Sequence, residues 1–176
     1  LFGVNAELLI DHAWGWEPCT ITDIKAYKPE AKSISSGQVL KCPYPCDKAR
    51  LIVQEMTDLL VLDLVDKGYV TDQLVLTIGY DIDNLTDPVI LQKYHGEITT
   101  DRYGRRVPKH AHGTENLEEA TSSTQQIMEG MLSLYDRIIN PDLLVRRITV
   151  VASRVVPESE AEQKEVFEQL DLFTDY

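Results

Sequence analysis

The sequence lacks the long apolar segments and the cysteine content that mark two large classes of protein. No apolar run approaches the roughly 18 residues that cross a bilayer, and the first residues show no basic segment followed by an apolar stretch. The three cysteines (Cys19, Cys42 and Cys46) are few and odd in number, which argues against a disulfide scaffold. We therefore expect a soluble, cytoplasmic protein.

The sequence also lacks the local motifs of self-contained active sites. It has no glycine-rich phosphate loop, no Gly-x-Ser-x-Gly elbow and no His-Glu-x-x-His helix. A small metalloenzyme built from Cys42, Cys46, His110 and His112 is one alternative, but the cysteine spacing and two intervening prolines make a poor zinc knuckle. Asp81–Asp83 fits a polar strand end better than a metal site. We expect neither catalytic residues nor metal ligands in this chain.

The formal charge of −12 is distributed unevenly along the chain. Residues 157–176 contain seven acids and one lysine, a net charge of −6 and half of the total. Residues 93–112 contain five lysines and arginines against two acids, and residues 143–156 contain three arginines and no acid. Because phosphate binding responds to the local field, the acidic total does not exclude a nucleic-acid-binding surface. A solvated charged loop is nevertheless the commoner explanation of a single basic run.

Apolar periodicity predicts two long helices. Residues 47–67 place an apolar stripe at helical spacing, and Gly68 is a typical C-terminal stop. Residues 123–139 form the second helix, and Ser122 with Gln125 resembles a capping box. The two predicted stripes are Ile52, Met56, Leu59, Leu60 and Leu64 in the first helix, and Ile127, Met131, Leu134, Tyr135 and Ile138 in the second.

Four segments are typical of strands: residues 33–41, 74–82, 105–117 and 143–156. Pro43 and Pro45 should end the first, and the long connection 84–104 should hold a short helix near residues 89–94. Residues 1–30 read as short helices too small to hold a core of their own. The order β-α-β-β-α-β predicts an α+β fold, with a four-stranded, mainly antiparallel sheet, two helices on one face, and short helices before it.

The uncovered face of this sheet is a candidate nucleic-acid surface. Ser33, Ser35 and Gly37 are small, so a phosphate chain could approach the backbone and accept hydrogen bonds from amides and hydroxyls. Arginines and lysines on adjacent strands would add charge-assisted contacts. An ordinary solvent-facing sheet is the alternative interpretation.

The acidic tail carries a five-residue string, Gln169-Leu170-Asp171-Leu172-Phe173. Apolar residues at the end of a solvated tail have no core to join, so they are typical of anchors for a pocket on another protein. The string resembles the bacterial sliding-clamp-binding peptide. That resemblance implies that Gln169 hydrogen-bonds at the rim of a cleft on the clamp while Leu170, Leu172 and Phe173 bind in it.

Two further segments resemble Y-family (translesion) DNA polymerases. Leu1-Phe2-Gly3, Leu8-Leu9 and Ala13-Trp14-Gly15 are similar to the end of the thumb domain, and Lys32-Ser33-Ile34-Ser35 is similar to the start of the little finger domain. The resemblance covers essentially the whole chain. It implies the end of a thumb at residues 1–30, a little finger at 31–156 and an acidic flexible tail at 157–176.

The resemblance implies a function as well as a fold. In this family the little finger grips primer–template DNA through the sugar–phosphate backbone, while the catalytic carboxylates and their Mg²⁺ ions belong to a palm domain that would precede Leu1. We expect a monomeric fragment of a lesion-bypass DNA polymerase that binds DNA and clamp but does not polymerise. The residues expected at DNA are Ser33, Ser35, Gly37, Arg105, Arg106, Lys109, Arg146 and Arg147. The alternative is an acidic adaptor that binds proteins only.

Overall fold

Residues 5–27, 33–101 and 103–161 of the chain are described by a computed structural model. The chain divides into two units, Leu1–Ala31 and Lys32–Tyr176, which are described separately. In the described ranges, no helix combines the length and the hydropathy that a membrane span requires.

The first unit contains the two short helices α1 (Asn5–Ala13) and α2 (Ile21–Ala26). After α1 the chain turns through Gly15, whose φ of 77° lies in the left-handed region that glycine adopts without strain. A capping box begins α2: the Thr20 hydroxyl accepts a hydrogen bond from the Asp23 amide at 3.2 Å, and the Asp23 carboxylate accepts one from the Thr20 amide at 2.9 Å. The prediction of short helices before the main fold is confirmed.

The second unit is an α+β fold built on an antiparallel sheet, as predicted. In chain order it consists of β1 (Ile34–Tyr44), α3 (Cys46–Lys67), β2 (Tyr69–Tyr80), a 3₁₀ helix (Ile82–Leu85), α4 (Pro88–Lys93), β3 (Ile98–Thr100), β4 (Arg106–Pro108), β5 (Ala111–Thr121), α5 (Thr124–Ile138), β6 (Val145–Ser153), β7 (Val156–Pro157) and α6 (Glu158–Ala161).

Four long strands form the sheet in the order β1-β6-β2-β5, and each neighbouring pair is antiparallel. The short β7 pairs with the start of β2 as a fifth strand. Separately, β3 and β4 form a two-stranded hairpin inside the connection between β2 and β5. The central strands β6 and β2 are therefore shielded on both sides, and β1 and β5 are the edges.

The core lies between one face of the sheet and the helices α3 and α5. Alternate residues of β2 and β6 point into it and are fully buried, including Leu74, Leu76, Ile78, Ile148 and Val150. The predicted stripe of α5 is confirmed at its four buried positions. In α3 the stripe is wrong at Leu59, which is 59% exposed, because the buried arc of the helix runs through Val53, Val61 and Thr57 instead.

Glycines let α5 approach the sheet closely. A Cβ atom on Gly113 of β5 would lie 2.8 Å from both Leu134 and Ile138 of α5. A Cβ on Gly130 of α5 would lie 3.0 Å from Leu117 and 3.3 Å from Leu74. Side chains at these two positions would push the helix away from the strands that it covers.

Three local predictions are wrong. The first strand continues through Pro43 to Tyr44, because β1 is an edge strand whose register shifts between Val39 and Tyr44, and an edge tolerates a residue without an N–H group. The third predicted strand is divided into β4 and β5, because one pairs with β3 and the other with β2. The residue that caps α5 is Ser123, without a side-chain hydrogen bond, so the capping box at Ser122 is absent.

Candidate nucleic-acid interface

The side of the sheet opposite α3 and α5 presents a continuous surface, which we call the open face. The strand register places its residues in rows that cross all four strands, such as Gly37–Thr149–Thr77–His112. The open face consists of Ser35, Gly37 and Val39 of β1; Arg147, Thr149, Val151 and Ser153 of β6; Gln73, Val75, Thr77 and Gly79 of β2; and His112, Thr114 and Asn116 of β5. None of these positions carries a carboxylate.

Small residues make the open face flat where its rows meet. A Cβ atom on Gly79 would lie 3.2 Å from the Cβ of Arg147, so this glycine leaves room beside the arginine. Gly37 faces the Thr149 hydroxyl, which would lie 3.4 Å from an added Cβ. A flat, hydroxyl-bearing surface of this kind allows a polymer backbone to approach the strands.

The acidic side chains of the second unit are concentrated elsewhere. The helix α3 alone carries Asp47, Glu55, Asp58, Asp63 and Asp66, and it lies on the covered side of the sheet. On the same side Glu115 of β5 pairs with Arg137 of α5 at 2.7 Å. The strand positions that form the open face thus carry no acid, although the chain has a net charge of −12.

Arg147 and Arg146 differ in what they contact. Arg147 is exposed on the open face, opposite Gly79 and Val39, and its side chain makes no ion pair or hydrogen bond within the described ranges. Arg146 lies where the register of β6 shifts, and its Nε is 3.5 Å from Asp81 Oδ2. Arg147 is thus the cation of this pair that is available to a ligand.

The predicted residues of β1 lie along one edge of the sheet. Ser35 and Gly37 are exposed on the open face, paired with Val151 and Thr149 of β6. Ser33 is exposed immediately before the strand begins. The structure therefore brings Ser35, Gly37 and Arg147 onto one surface.

The predicted cations of the connection lie in or beside the β3–β4 hairpin, where acids pair with two of the three. Arg105 donates to Asp101 from Nε at 2.8 Å, and Lys109 donates to Glu97 at 2.6 Å. These hydrogen bonds are the largest cause of a raised pKa for Arg105 and for Lys109, and the Arg105 bond likewise lowers the pKa of Asp101. Arg106 is exposed and makes no side-chain ion pair within the described ranges.

Asn84 joins the connection to the sheet and was not anticipated from the sequence. It is fully buried in the 3₁₀ helix. Its Nδ2 donates to the carbonyl oxygens of Asp81 and Leu144, both at 2.9 Å, and its Oδ1 accepts from the Leu144 amide at 2.7 Å. These bonds fix the start of the connection beside the segment that leads into Arg146.

Two of the residues considered as metal ligands make hydrogen bonds within the fold. Asp81 caps the 3₁₀ helix by accepting a hydrogen bond from the Asp83 amide at 2.9 Å. His112 bonds the Thr77 hydroxyl at 2.9 Å through Nδ1, and Cys42 is exposed. In the part of the chain that the structure describes, no three His, Cys, Asp or Glu side chains are grouped so as to hold a metal ion.

The predicted clamp-binding residues Gln169, Leu170, Asp171, Leu172 and Phe173 lie outside the described residues. Their role therefore stays a prediction from the sequence.

Comparison with known proteins identifies the family. The model of the impB/mucB/samB family C-terminal domain matches residues 31–172, whereas no curated protein matches the chain. Among solved structures, the Y-family DNA polymerase chimera Dbh-Dpo4(243-245)-Dbh is similar with a TM-score of 0.47 and 9% identity, over 88% of this chain. The chain spans 36% of the length of that protein. Since the family match covers most of its residues, this chain belongs to the impB/mucB/samB C-terminal domain family, the C-terminal domains of Y-family DNA polymerases.

Proposed function

We propose that the second unit binds DNA along its open face and holds it through the sugar–phosphate backbone. The observation that carries this proposal is that the open-face positions carry small and hydroxyl-bearing residues and no acid, with the unpaired Arg147 among them. Phosphate contacts of this kind position a duplex without reading its sequence.

The predicted DNA residues contribute unequally in this proposal. Arg147 and Arg106 are exposed and without an ion-pair partner in the described ranges, so they are free to approach a phosphate. Arg105, Lys109 and Arg146 each share their charge with a carboxylate, which weakens the field that they offer. Ser33, Ser35 and Gly37 supply close approach at the β1 edge.

The test is the salt dependence of duplex binding, measured by fluorescence anisotropy with wild-type protein and Arg147→Ala. Each phosphate neutralised by a cation contributes about 0.9 to the slope of log K against log salt concentration. We expect the substitution to reduce the slope by about that amount and to weaken binding similarly for all sequences. Lys48→Ala is the matched control, since Lys48 is exposed on α3, on the covered side, and makes no ion pair within the described ranges.

Two results would contradict the DNA proposal. Wild-type affinity that does not fall with added salt would exclude binding through phosphates. An equal loss in Arg147→Ala and Lys48→Ala would show that the open face is not the binding surface. A protein that binds no DNA but still binds a protein partner would instead support the acidic adaptor.

We further propose that the tail tethers the chain to a bacterial sliding clamp through Gln169–Phe173. The support is the five-residue string itself, in which two leucines and a phenylalanine follow an acidic segment. Leu172→Ala combined with Phe173→Ala should abolish clamp binding in a titration of the purified proteins. Val166→Ala combined with Phe167→Ala removes comparable apolar surface from the same tail and should leave binding intact. No binding by the unsubstituted chain would remove this part of the proposal.

For the whole protein, the family supports a role as a translesion DNA polymerase in DNA repair. In its described ranges this chain contains no group of carboxylates that could hold the catalytic metal ions. We therefore expect no extension of a primer–template when the chain alone is incubated with nucleotides and Mg²⁺. Measurable extension would show that the chain contains a catalytic site of its own.

A further inference from the structure

Arg154 occupies an unfavourable backbone conformation at the end of β6. Its φ is 51°, and within the described ranges Arg154 alone among the non-glycine residues has a positive φ. Side chains rarely adopt this region because the Cβ atom crowds the backbone, and glycine or asparagine occupies it at lower cost. A strained arginine at a turn therefore raises the question of what its side chain does.

The guanidinium of Arg154 is held by residues of two other strands. Its Nε lies 2.7 Å from Asp72 Oδ1, and its Nη2 donates to Asn116 Oδ1 at 2.8 Å and to the Asp72 carbonyl at a longer 3.4 Å. Gln73 Nε2 donates to the same Asn116 oxygen at 3.0 Å. The side chain thus reaches from the end of β6 past β2 to β5.

These contacts place the guanidinium at one end of the open face. Asn116 and Gln73 belong to that face, in the row that includes Ser153. Arg147 lies at the other end, six residues before Ser153 on β6. At about 3.3 Å per residue, the row that includes Ser153 lies roughly 20 Å along the strand from Arg147, so the two arginines mark opposite ends of the open face.

We propose that Arg154 is a second phosphate-binding residue of the open face, positioned for this purpose by Asp72 and Asn116. This inference rests on the proposed DNA-binding function and adds a residue that the sequence did not single out. A guanidinium has five N–H donors, and the contacts with Asp72 and Asn116 leave donors for a phosphate. The Arg154 side chain is 52% exposed, so a backbone on the open face can reach it.

A turn-forming role alone would not require an arginine. Arg154→Gly tests this directly, because glycine accepts the positive φ and removes only the side chain. We expect thermal unfolding at an unchanged or higher temperature and a several-fold weaker affinity for duplex DNA. The slope of log K against log salt should fall by less than the roughly 0.9 expected for the unpaired Arg147, because Asp72 shares the charge of Arg154. Arg154→Lys keeps the charge and should restore the slope, with a lower affinity because the forked contact is lost.

Arg137→Ala is the matched control. Arg137 is 53% exposed and pairs with a carboxylate at 2.7 Å, much as Arg154 does, but it belongs to α5 on the covered side of the sheet. Its removal should leave the salt slope unchanged.

The outcomes separate this inference from the function on which it rests. If wild-type protein fails to bind DNA with a salt-dependent affinity, the proposed function itself is refuted. If wild-type and Arg154→Gly bind with the same slope while Arg147→Ala binds with a reduced one, only the role of Arg154 is refuted. A reduced slope in Arg137→Ala equal to that in Arg154→Gly would also refute it.

Discussion

Asn84 offers the sharpest test of how the connection between β2 and β5 is attached to the sheet. Replacing it by alanine removes the three hydrogen bonds of its side chain, which go to the carbonyls of Asp81 and Leu144 and to the amide of Leu144. Two of these three backbone groups keep another hydrogen-bond partner. The Leu144 carbonyl still accepts from the Asp81 amide at 3.0 Å, and the Asp81 carbonyl accepts from the Asn84 amide at 3.4 Å.

The Leu144 amide is the group left without a partner. Stranding a polar group away from water costs about 1–3 kcal/mol, and each other lost hydrogen bond contributes about 1 kcal/mol or less. Because the site is only partly buried at Leu144, we expect Asn84→Ala to lower the free energy of unfolding by about 2–3 kcal/mol. For a domain of this size that corresponds to a fall in melting temperature of roughly 4–12 °C.

Urea unfolding followed by circular dichroism measures this loss, with a thermal melt as a second readout. Asn140→Ala is the control, since the Asn140 side chain accepts one local hydrogen bond from the Asp142 amide at 3.1 Å at an exposed turn. We expect it to cost less than about 1 kcal/mol. A loss in Asn84→Ala no greater than in Asn140→Ala would refute the view that Asn84 anchors the connection.

Two further predictions concern packing and charge. Gly113→Ala should lower the free energy of unfolding by about 1–2 kcal/mol, because the new methyl group would lie 2.8 Å from Leu134 and Ile138. Gly37→Ala is the control and should be neutral or stabilising, since its nearest contact would be at 3.4 Å. Equal urea midpoints for the two variants would show that α5 can move away at no cost. The Arg50 guanidinium lowers the pKa of Asp136 chiefly through hydrogen bonds of 2.9 and 3.0 Å, so the pair stabilises above the ordinary aspartate pKa and the contribution is lost as pH falls through the lowered pKa. Since both side chains are partly exposed, Arg50→Ala should cost only about 0.5 kcal/mol at pH 7 and nothing at strongly acid pH, and a difference that persists in acid would contradict this account.

Local patterns in the sequence predicted the two long helices and the strands of the main sheet, but not the β3–β4 hairpin. The alternation of Leu74, Leu76 and Ile78 with smaller residues predicted a strand with one buried face, and the structure buries those three residues fully. Leu59 shows the limit of the helical pattern. An apolar residue at the border of a stripe is buried only if a neighbouring element covers it, and none of the described elements does so.

Charge patterns along the chain were a poorer guide to the candidate site. The five basic residues between Lys93 and His112 suggested one cationic surface, but in the β3–β4 hairpin Glu97 pairs with Lys109 and Asp101 pairs with Arg105. Those contacts depend on the turn and the hairpin register, which no local motif specified. In the same way Arg154 had no visible role until strand pairing brought Asp72 and Asn116 to it.

The sequence by itself determined the α+β class, the small-residue β1 strand, the family resemblance and the tail string, because each is written in spacing or in consecutive residues. Only the tertiary structure decided which cations remain unpaired, which glycines allow α5 to pack closely on the sheet, and how the buried Asn84 fixes the connection between β2 and β5 by hydrogen bonds. The physical reason is that ion pairs, close packing and buried hydrogen bonds join residues that are often distant in the chain. Their partners are set by register and helix placement, which depend on the whole core.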